Sequence, residues 1–321
     1  MARPVALYYD VLQFHPENVD LLHASFEVVR LPDPGHDSPE VLARVDAAFA
    51  PLGFHFGAEK IDLAPRLKVI GSNTTGHPHI DVAYAERRGI RVATLKGQRE
   101  FLWGITPTAE LAFGLIIALT RNLLPAAAAA RRGEWSRWPW AGPAMLSRMS
   151  LGVAGYGRLG RLVARYGRAF GMSVTFYDPR VDPADDPAER ADSLAALVAG
   201  RDVISVHLPY EPETGRLFDH ALFEKFKPGA FLVNTARGEL VDQAALLDAL
   251  ERGHLAGAAL DVLDGEFEPG FEGRLAQQPL FAYAQTHDNL ILTPHIGGST
   301  RDAWKLTQAH TIRLMVDSLR S

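Results

Sequence analysis

The sequence contains no cysteine. Disulfides, thiolate metal sites and cysteine nucleophiles are thereby excluded, and the chain is compatible with a reducing compartment. The stretch from Met1 to Asp10 lacks the apolar run and small-residue cleavage site of a secretory signal. The most apolar stretch, Leu111 to Leu119, falls short of the about 20 residues that span a bilayer. A cytoplasmic location is therefore expected. Nor is there an excess of positive charge: 33 Lys and Arg against 38 Asp and Glu leave a net charge of −5. That balance gives no general attraction to nucleic acid or acidic membranes, and neither is expected as a partner. Internal repeats and long low-complexity tracts are absent; only Ala126–Ala130 is compositionally biased.

What is present is a chain of 321 residues, 47 % hydrophobic and 22 % charged, enough for one large α/β unit or two ordinary domains. Short β-rich runs alternate with helical stretches, which argues for βαβ units and parallel sheets. In the first hundred or so residues, Val5–Tyr9, Phe26–Leu31, Lys68–Ser72 and Arg91–Thr94 read as strands. Ser38–Ala50 and Ile80–Arg88 read as helices. A long helix is expected from Thr108 to Arg131, with Pro125 as a point of kinking. A loop rich in Trp and Pro follows, Trp135 to Pro143, and reads as a subunit contact, an active-site wall or a plain core loop.

A second series starts at Ser150. Its expected strands are Leu151–Ala154, Ser173–Tyr177, Val203–Val206, Phe231–Asn234, Gly257–Leu260 and Leu290–Thr293. Helices are expected near Arg158–Phe170, Leu194–Ala199, Asp219–Lys225 and Gln243–Arg252. The first strand runs into Gly155-Tyr156-Gly157-Arg158-Leu159-Gly160, and a helical pattern begins at once. In such a turn Gly155 permits the tight bend, Gly157 lets the backbone approach a pyrophosphate, and Gly160 allows close helix–strand packing. The helix start offers unpaired N–H groups and a positive dipole end to phosphates. An acid closes the next strand: Asp178, 18 residues past Gly160. A carboxylate there accepts bonds from adenosine ribose hydroxyls and repels a 2′-phosphate, which favours NAD. Arg180, two residues on, is the feature that would instead suit NADP.

Further motifs follow in order: Asp202 to Pro209, Val233-Asn234-Thr235-Ala236-Arg237-Gly238-Glu239, Ala259-Leu260-Asp261-Val262, and Leu292-Thr293-Pro294-His295-Ile296-Gly297-Gly298. Together they resemble the D-isomer-specific 2-hydroxyacid dehydrogenase family, over about Lys68 to Thr300. The resemblance implies two doubly wound α/β domains. A Rossmann NAD-binding domain, 105–294, would be inserted into a flavodoxin-like substrate-binding domain formed by 1–104 and 295–321. It also implies a dimer, and a substrate that is a small 2-hydroxy or 2-keto acid. The sequence stops about two dozen residues after His295, so the regulatory domain that some members carry is not expected.

The resemblance implies roles as well. Arg237 would anchor the substrate carboxylate and polarise the neighbouring carbonyl. His295 would be the acid/base, since imidazole titrates near neutrality. Glu266, five residues after Asp261, would pair with it. Family members often have Glu-Pro, whereas Phe267 follows Glu266 here and Glu268-Pro269 offers the alternative match. Asp261 would lie near the nicotinamide carboxamide, and Thr108 near the nicotinamide. The cofactor set is completed by Gly155, Tyr156, Gly157, Arg158, Leu159, Gly160, Asp178, His207, Pro209, Thr214, Thr235, Ala236, Arg237, His295 and Gly297. The loop Asn73-Thr74-Thr75-Gly76 would contact the substrate with Arg237 and His295.

His77 and His79 follow that loop, but no further ligands complete a metal site, so none is expected. His77 would then select a substrate. Members that oxidise phosphite carry lysine where Thr75 stands, and formate dehydrogenases an amide where Glu266 stands. Phosphite or a phosphonate-bearing hydroxy acid remains one alternative substrate class. A non-catalytic NAD-sensing protein is another reading, against which the intact trio Arg237, Glu266 and His295 weighs.

Overall fold

A computed structural model of the chain describes residues 3–181, 188–268 and 270–320. It divides into two compact units. The first runs to Ile105 and resumes at Ser299; the second is Thr106–Gly298.

The first unit is built on five strands: β1 (Val5–Tyr9), β2 (Glu27–Leu31), β3 (Ala47–Phe49), β4 (Val69–Gly71) and β5 (Arg91–Ala93). All pairings are parallel, in the order β2-β1-β3-β4-β5, which is the flavodoxin-like arrangement. Alternation along β1 sends Ala6 and Tyr8 to one face and Leu7 and Tyr9 to the other, and each pair joins a separate apolar cluster. The helix Arg301–Arg320 covers the Ala6 face with Ile312 and Met315, both wholly buried.

One expectation fails here. Ser38–Ala50 is not one helix. A short helix, Pro39–Leu42, is capped by the Ser38 hydroxyl, and β3 then enters the middle of the sheet. The alanines of β3 favour helix by propensity, but their burial on both faces decides for strand; a short apolar run does not distinguish the two. The helix Pro16–Ser25, started by Pro16 at its first position, and the helix Arg301–Arg320 were not foreseen.

The second unit carries β6 (Ser150–Ala154), β7 (Ser173–Tyr177), β8 (Glu189–Arg190), β9 (Val203–Val206), β10 (Ala230–Asn234), β11 (Leu255–Leu260) and β12 (Leu290–Leu292). Their order is β12-β11-β10-β9-β6-β7-β8 and every described pairing is parallel. Counted from β6, this is the doubly wound order 3-2-1-4-5-6 with β12 added at one edge. The two-residue strand β8 is the addition to the six expected. The topological switch lies between β6 and β9, where a parallel sheet places its ligand crevice.

The expected helix from Thr108 to Arg131 is two helices, Pro107–Thr120 and Leu123–Arg131. The break falls at Asn122, which adopts left-handed backbone (φ 50°), and not at Pro125. Pro125 sits in the first turn of the second helix, where its missing N–H loses no bond. Trp135 and Trp138 are 92 % and 77 % exposed, so the loop that carries them is no core loop.

The C-terminal boundary also moves. Residues 295–298 stay with the second unit because the amides of His295, Ile296 and Gly297 all bond to Asp261.

Gly71 lies under the C-terminal helix: a Cβ there would come 2.0 Å from Met315 Sδ. Gly71→Ala should therefore cost about 1–3 kcal/mol by overpacking. Chemical denaturation reads this, and adding Met315→Ala should return part of the loss; a neutral single variant would contradict the packing.

Candidate functional site

The sheet of the second unit ends in loops that gather at its C-terminal edge. After β6, Gly155 turns with φ +92°, and a Cβ would lie 2.6 Å from the His207 carbonyl oxygen. Only glycine permits both. A Cβ on Gly160 would lie 2.1 Å from the Gly155 oxygen, so the helix Arg158–Ala169 packs flush against the turn. At Gly157, by contrast, a Cβ would meet nothing within 4 Å. No side chain caps this helix start. Asp178 Oδ2 accepts from the Tyr156 amide at 2.8 Å, which locks the end of β7 to the turn. The Tyr156 ring itself is buried and stacked on Phe176, 3.9 Å between centroids. The ring is therefore a core side chain and not a ligand contact.

The residues after β9 and β10 fit a dinucleotide. The open side of Gly157 leaves room for a pyrophosphate beside amides at a positive helix end. His207 bonds Ser205 Oγ through Nε2 at 2.8 Å, while its Nδ1 is buried without a partner. Burial depresses the His207 pKa to about 4, so the ring is neutral. The Thr235 hydroxyl is likewise buried and unpaired. Such groups cost free energy unless a ligand or water satisfies them. Thr214 differs from its expected role: its hydroxyl is spent on Glu211 and Pro209 inside the loop. Arg180, the feature that suits NADP, is paired with Glu211 at 2.7 Å.

Three neighbouring strands, β10, β11 and β12, deliver the reactive side chains to the same edge. Arg237 follows β10 and is half-buried; its Nη1 donates to the Ala236 carbonyl at 2.6 Å. No acidic side chain among the described residues pairs with it. A Cβ on Gly238 would lie 2.0 Å from the Leu263 carbonyl carbon, so the loops after β10 and β11 touch backbone to backbone.

Asp261, 1 % exposed, follows β11. Its Oδ1 accepts from Thr293 Oγ1 (2.6 Å) and the Ile296 amide (2.9 Å), and its Oδ2 from the Gly297 amide (2.7 Å). The Asp261 carbonyl accepts the His295 amide at 2.8 Å. These bonds hold His295 in left-handed backbone, φ 51°, a strained state for a residue with a Cβ. Asp261 is thus a brace for the loop, a role that spacing alone did not disclose. Thr108 is part of the same knot: a Cβ on Gly297 would lie 3.2 Å from its Cγ2. Thr106 does not cap the helix; its hydroxyl donates to Glu110 at 2.5 Å.

His295 Nδ1 meets Glu266 Oε1 at 2.8 Å. Glu268 instead faces Arg274 at 3.1 Å, and Pro269 lies outside the described residues. Phe267, where the family often has proline, packs on the imidazole at 5.4 Å between centroids. Phe267 and Thr293 are the contacts that sequence reasoning missed. A carboxylate on Nδ1 keeps the proton there and leaves Nε2 to exchange one with a ligand.

In the first unit, Asn73–Gly76 follows β4. The Thr74 carbonyl accepts from the Leu95 amide at 3.0 Å, and its hydroxyl lies 3.0 Å from Ser72 Oγ. His77 Nδ1 is buried without a partner, and burial followed by the charge of Lys96 lowers its pKa. His79 is a core histidine, 6 % exposed, bonded to Ser72 Oγ and the Ala50 carbonyl, its pKa lowered by burial to about 4. Among the described residues, His220, Glu224 and Asp248 come together with metal-ligand potential, but Arg252 already pairs with both acids.

His79 ties stability to pH. Unfolded, it titrates near 6.5; folded, near 4. Below pH 6.5 the unfolded chain binds a proton that the fold refuses, so stability falls as pH drops towards 4, by up to ~1.4 kcal/mol per pH unit. Urea midpoints at pH 7.5 and 5 should show this loss, and His79→Gln should make it shallower. An equal slope in that variant would remove His79 as its source.

Comparison with known proteins identifies the family. Residues 113–297 match the D-isomer specific 2-hydroxyacid dehydrogenase, NAD binding domain. The chain is 37 % identical over 308 residues to D-3-phosphoglycerate dehydrogenase of Mycobacterium tuberculosis (strain CDC 1551 / Oshkosh), covering 94 % of this chain and 54 % of that protein. It thus spans about half the length of such relatives. It is 33 % identical over 303 residues to glyoxylate reductase of Thermococcus litoralis, covering 90 % and 86 %. Among solved structures, D-lactate dehydrogenase from Aquifex aeolicus complexed with NAD and lactic acid superposes with a TM-score of 0.81 at 27 % identity, over 98 % of this chain and 95 % of the other. The chain belongs to the D-isomer specific 2-hydroxyacid dehydrogenase family, and its second unit is that family's NAD-binding domain.

Proposed function

We propose that this chain interconverts a small D-2-hydroxy acid and its 2-keto acid with NAD. The observation that carries the reading is the His295–Glu266 pair, 2.8 Å apart, on a braced loop at the sheet edge that also bears the glycine turn. NAD, when bound, accepts the hydride that leaves C2 of the hydroxy acid. His295 takes the hydroxyl proton at Nε2, and the resulting imidazolium is stabilised by the Glu266 carboxylate. In the reductive direction the same imidazolium returns that proton to the carbonyl oxygen. Arg237, free of any acidic partner among the described residues, holds the substrate carboxylate through its planar fork.

Glyoxylate, hydroxypyruvate, pyruvate, branched 2-keto acids and phosphonopyruvate with NADH, and phosphite with NAD, form the deciding panel, read by NADH absorbance. A 2-keto acid should be reduced, and turnover on phosphite alone would overturn the reading. His295→Asn should lower kcat at least ~10²-fold, with a smaller loss for Glu266→Gln. An unchanged rate in the first variant would remove His295 from the chemistry.

We also propose that the chain pairs with a second copy through the loop of Trp135 and Trp138, since exposed aromatic side chains suit interfaces. Light scattering should show a dimer that Trp135→Ala with Trp138→Ala weakens; a monomer at micromolar concentration would oppose this.

A further inference from the structure

Arg180 and Glu211 form a two-pronged ion pair, Nη2 to Oε2 at 2.7 Å and Nη1 to Oε1 at 3.2 Å. Arg180 lies two residues beyond Asp178, past the end of β7, and its amide donates to Asp178 Oδ1 at 2.9 Å. Glu211 lies in the loop after β9, where its amide and carbonyl are both bonded to Thr214. β7 and β9 are not neighbours in the sheet: β6 separates them. The pair therefore reaches across the end of β6, over the edge that carries Gly155–Gly160 and Asp178.

We propose that Glu211 is a cofactor-selectivity residue: by clasping Arg180 across the end of β6, it denies that guanidinium to a 2′-phosphate. The inference rests on the NAD reading of this edge. A guanidinium two residues past Asp178 is otherwise the natural partner of a phosphate, because its fork matches phosphate oxygens bidentately. In the pair, that fork is already filled by a carboxylate of fixed position. The charges add in the same direction. Asp178, Glu211, Glu213 and Arg180 sum to −2, so a 2′-phosphate dianion meets net repulsion, whereas a ribose hydroxyl donates to Asp178 without it. Without Glu211 the sum falls to −1 and the fork is open.

The side chains of Arg180 and Glu211 are 71 % and 38 % exposed, and exposed pairs add little to folding. The clasp is therefore not needed to hold the loops. Its effect falls on which cofactor is accepted.

The test is calorimetric titration of the full chain with adenosine 5′-monophosphate and adenosine 2′,5′-bisphosphate. Glu211→Gln, nearly isosteric, should raise the affinity for the bisphosphate relative to the monophosphate about tenfold, as expected for one removed repulsion and one freed fork. Glu211→Gln combined with Arg180→Ala should return that ratio to its starting value. The NADP-to-NAD ratio of kcat/KM should move with it. An unchanged ratio in Glu211→Gln, or a gain that survives loss of Arg180, overturns the clasp while leaving NAD binding intact. Absence of monophosphate binding in the unaltered chain overturns the clasp and the NAD reading together.

Discussion

The carboxylate of Asp261 is the constraint on which the candidate site depends. It is buried, it follows β11, and it ties down three donors from the segment after β12. Charge-assisted bonds of this kind are roughly twice as strong as neutral ones. Together with the carbonyl that receives the His295 amide, they outweigh the cost of holding His295 in left-handed backbone, which is of order 1–3 kcal/mol. The direction of the imidazole follows from that turn, and its proton from Glu266. An imidazole placed this way would need no rearrangement to exchange a proton, as the proposed chemistry requires.

Parallel topology does the remaining assembly in the second unit. Because every described strand there runs the same way, the glycine turn after β6, Asp178 after β7, His207 after β9, Arg237 after β10, Asp261 and Glu266 after β11 and His295 after β12 share one edge. Residues far apart in sequence thus meet by strand order alone. The glycines set the tolerances. Gly155, Gly160 and Gly238 sit where backbone touches backbone, whereas Gly157 faces open space. A parallel sheet that is well packed on both faces fixes these distances more firmly than flexible loops would.

Much of this was readable from residues. The turn Gly155–Gly160, Asp178, and the strands Val5–Tyr9, Ser173–Tyr177 and Val203–Val206 carry signals that are local, and the structure has these elements with those bounds. Three kinds of information were not local. The strand Ala47–Phe49 has helix-favouring residues and becomes a strand only because both its faces are buried. The break at Asn122 depends on a left-handed residue that propensity ranks below the nearby proline as a breaker. The brace formed by Asp261 joins residues more than thirty positions apart, and in the sequence Asp261 looks like a turn or cofactor residue. The family resemblance favoured Glu266 and left Glu268 open, and Glu266 is the one that lies beside His295.

The left-handed backbone at His295 narrows what can ever occupy that position. Asparagine, aspartate and glycine tolerate such a conformation, whereas a β-branched side chain adds a steric penalty of roughly 1–2 kcal/mol. Descendants of this chain that abandon the chemistry yet keep the architecture should therefore drift through a small alphabet at this site. A left-handed loop with asparagine or glycine in that place, and Asp261 still buried beneath it, would be the fossil of the proposed acid/base.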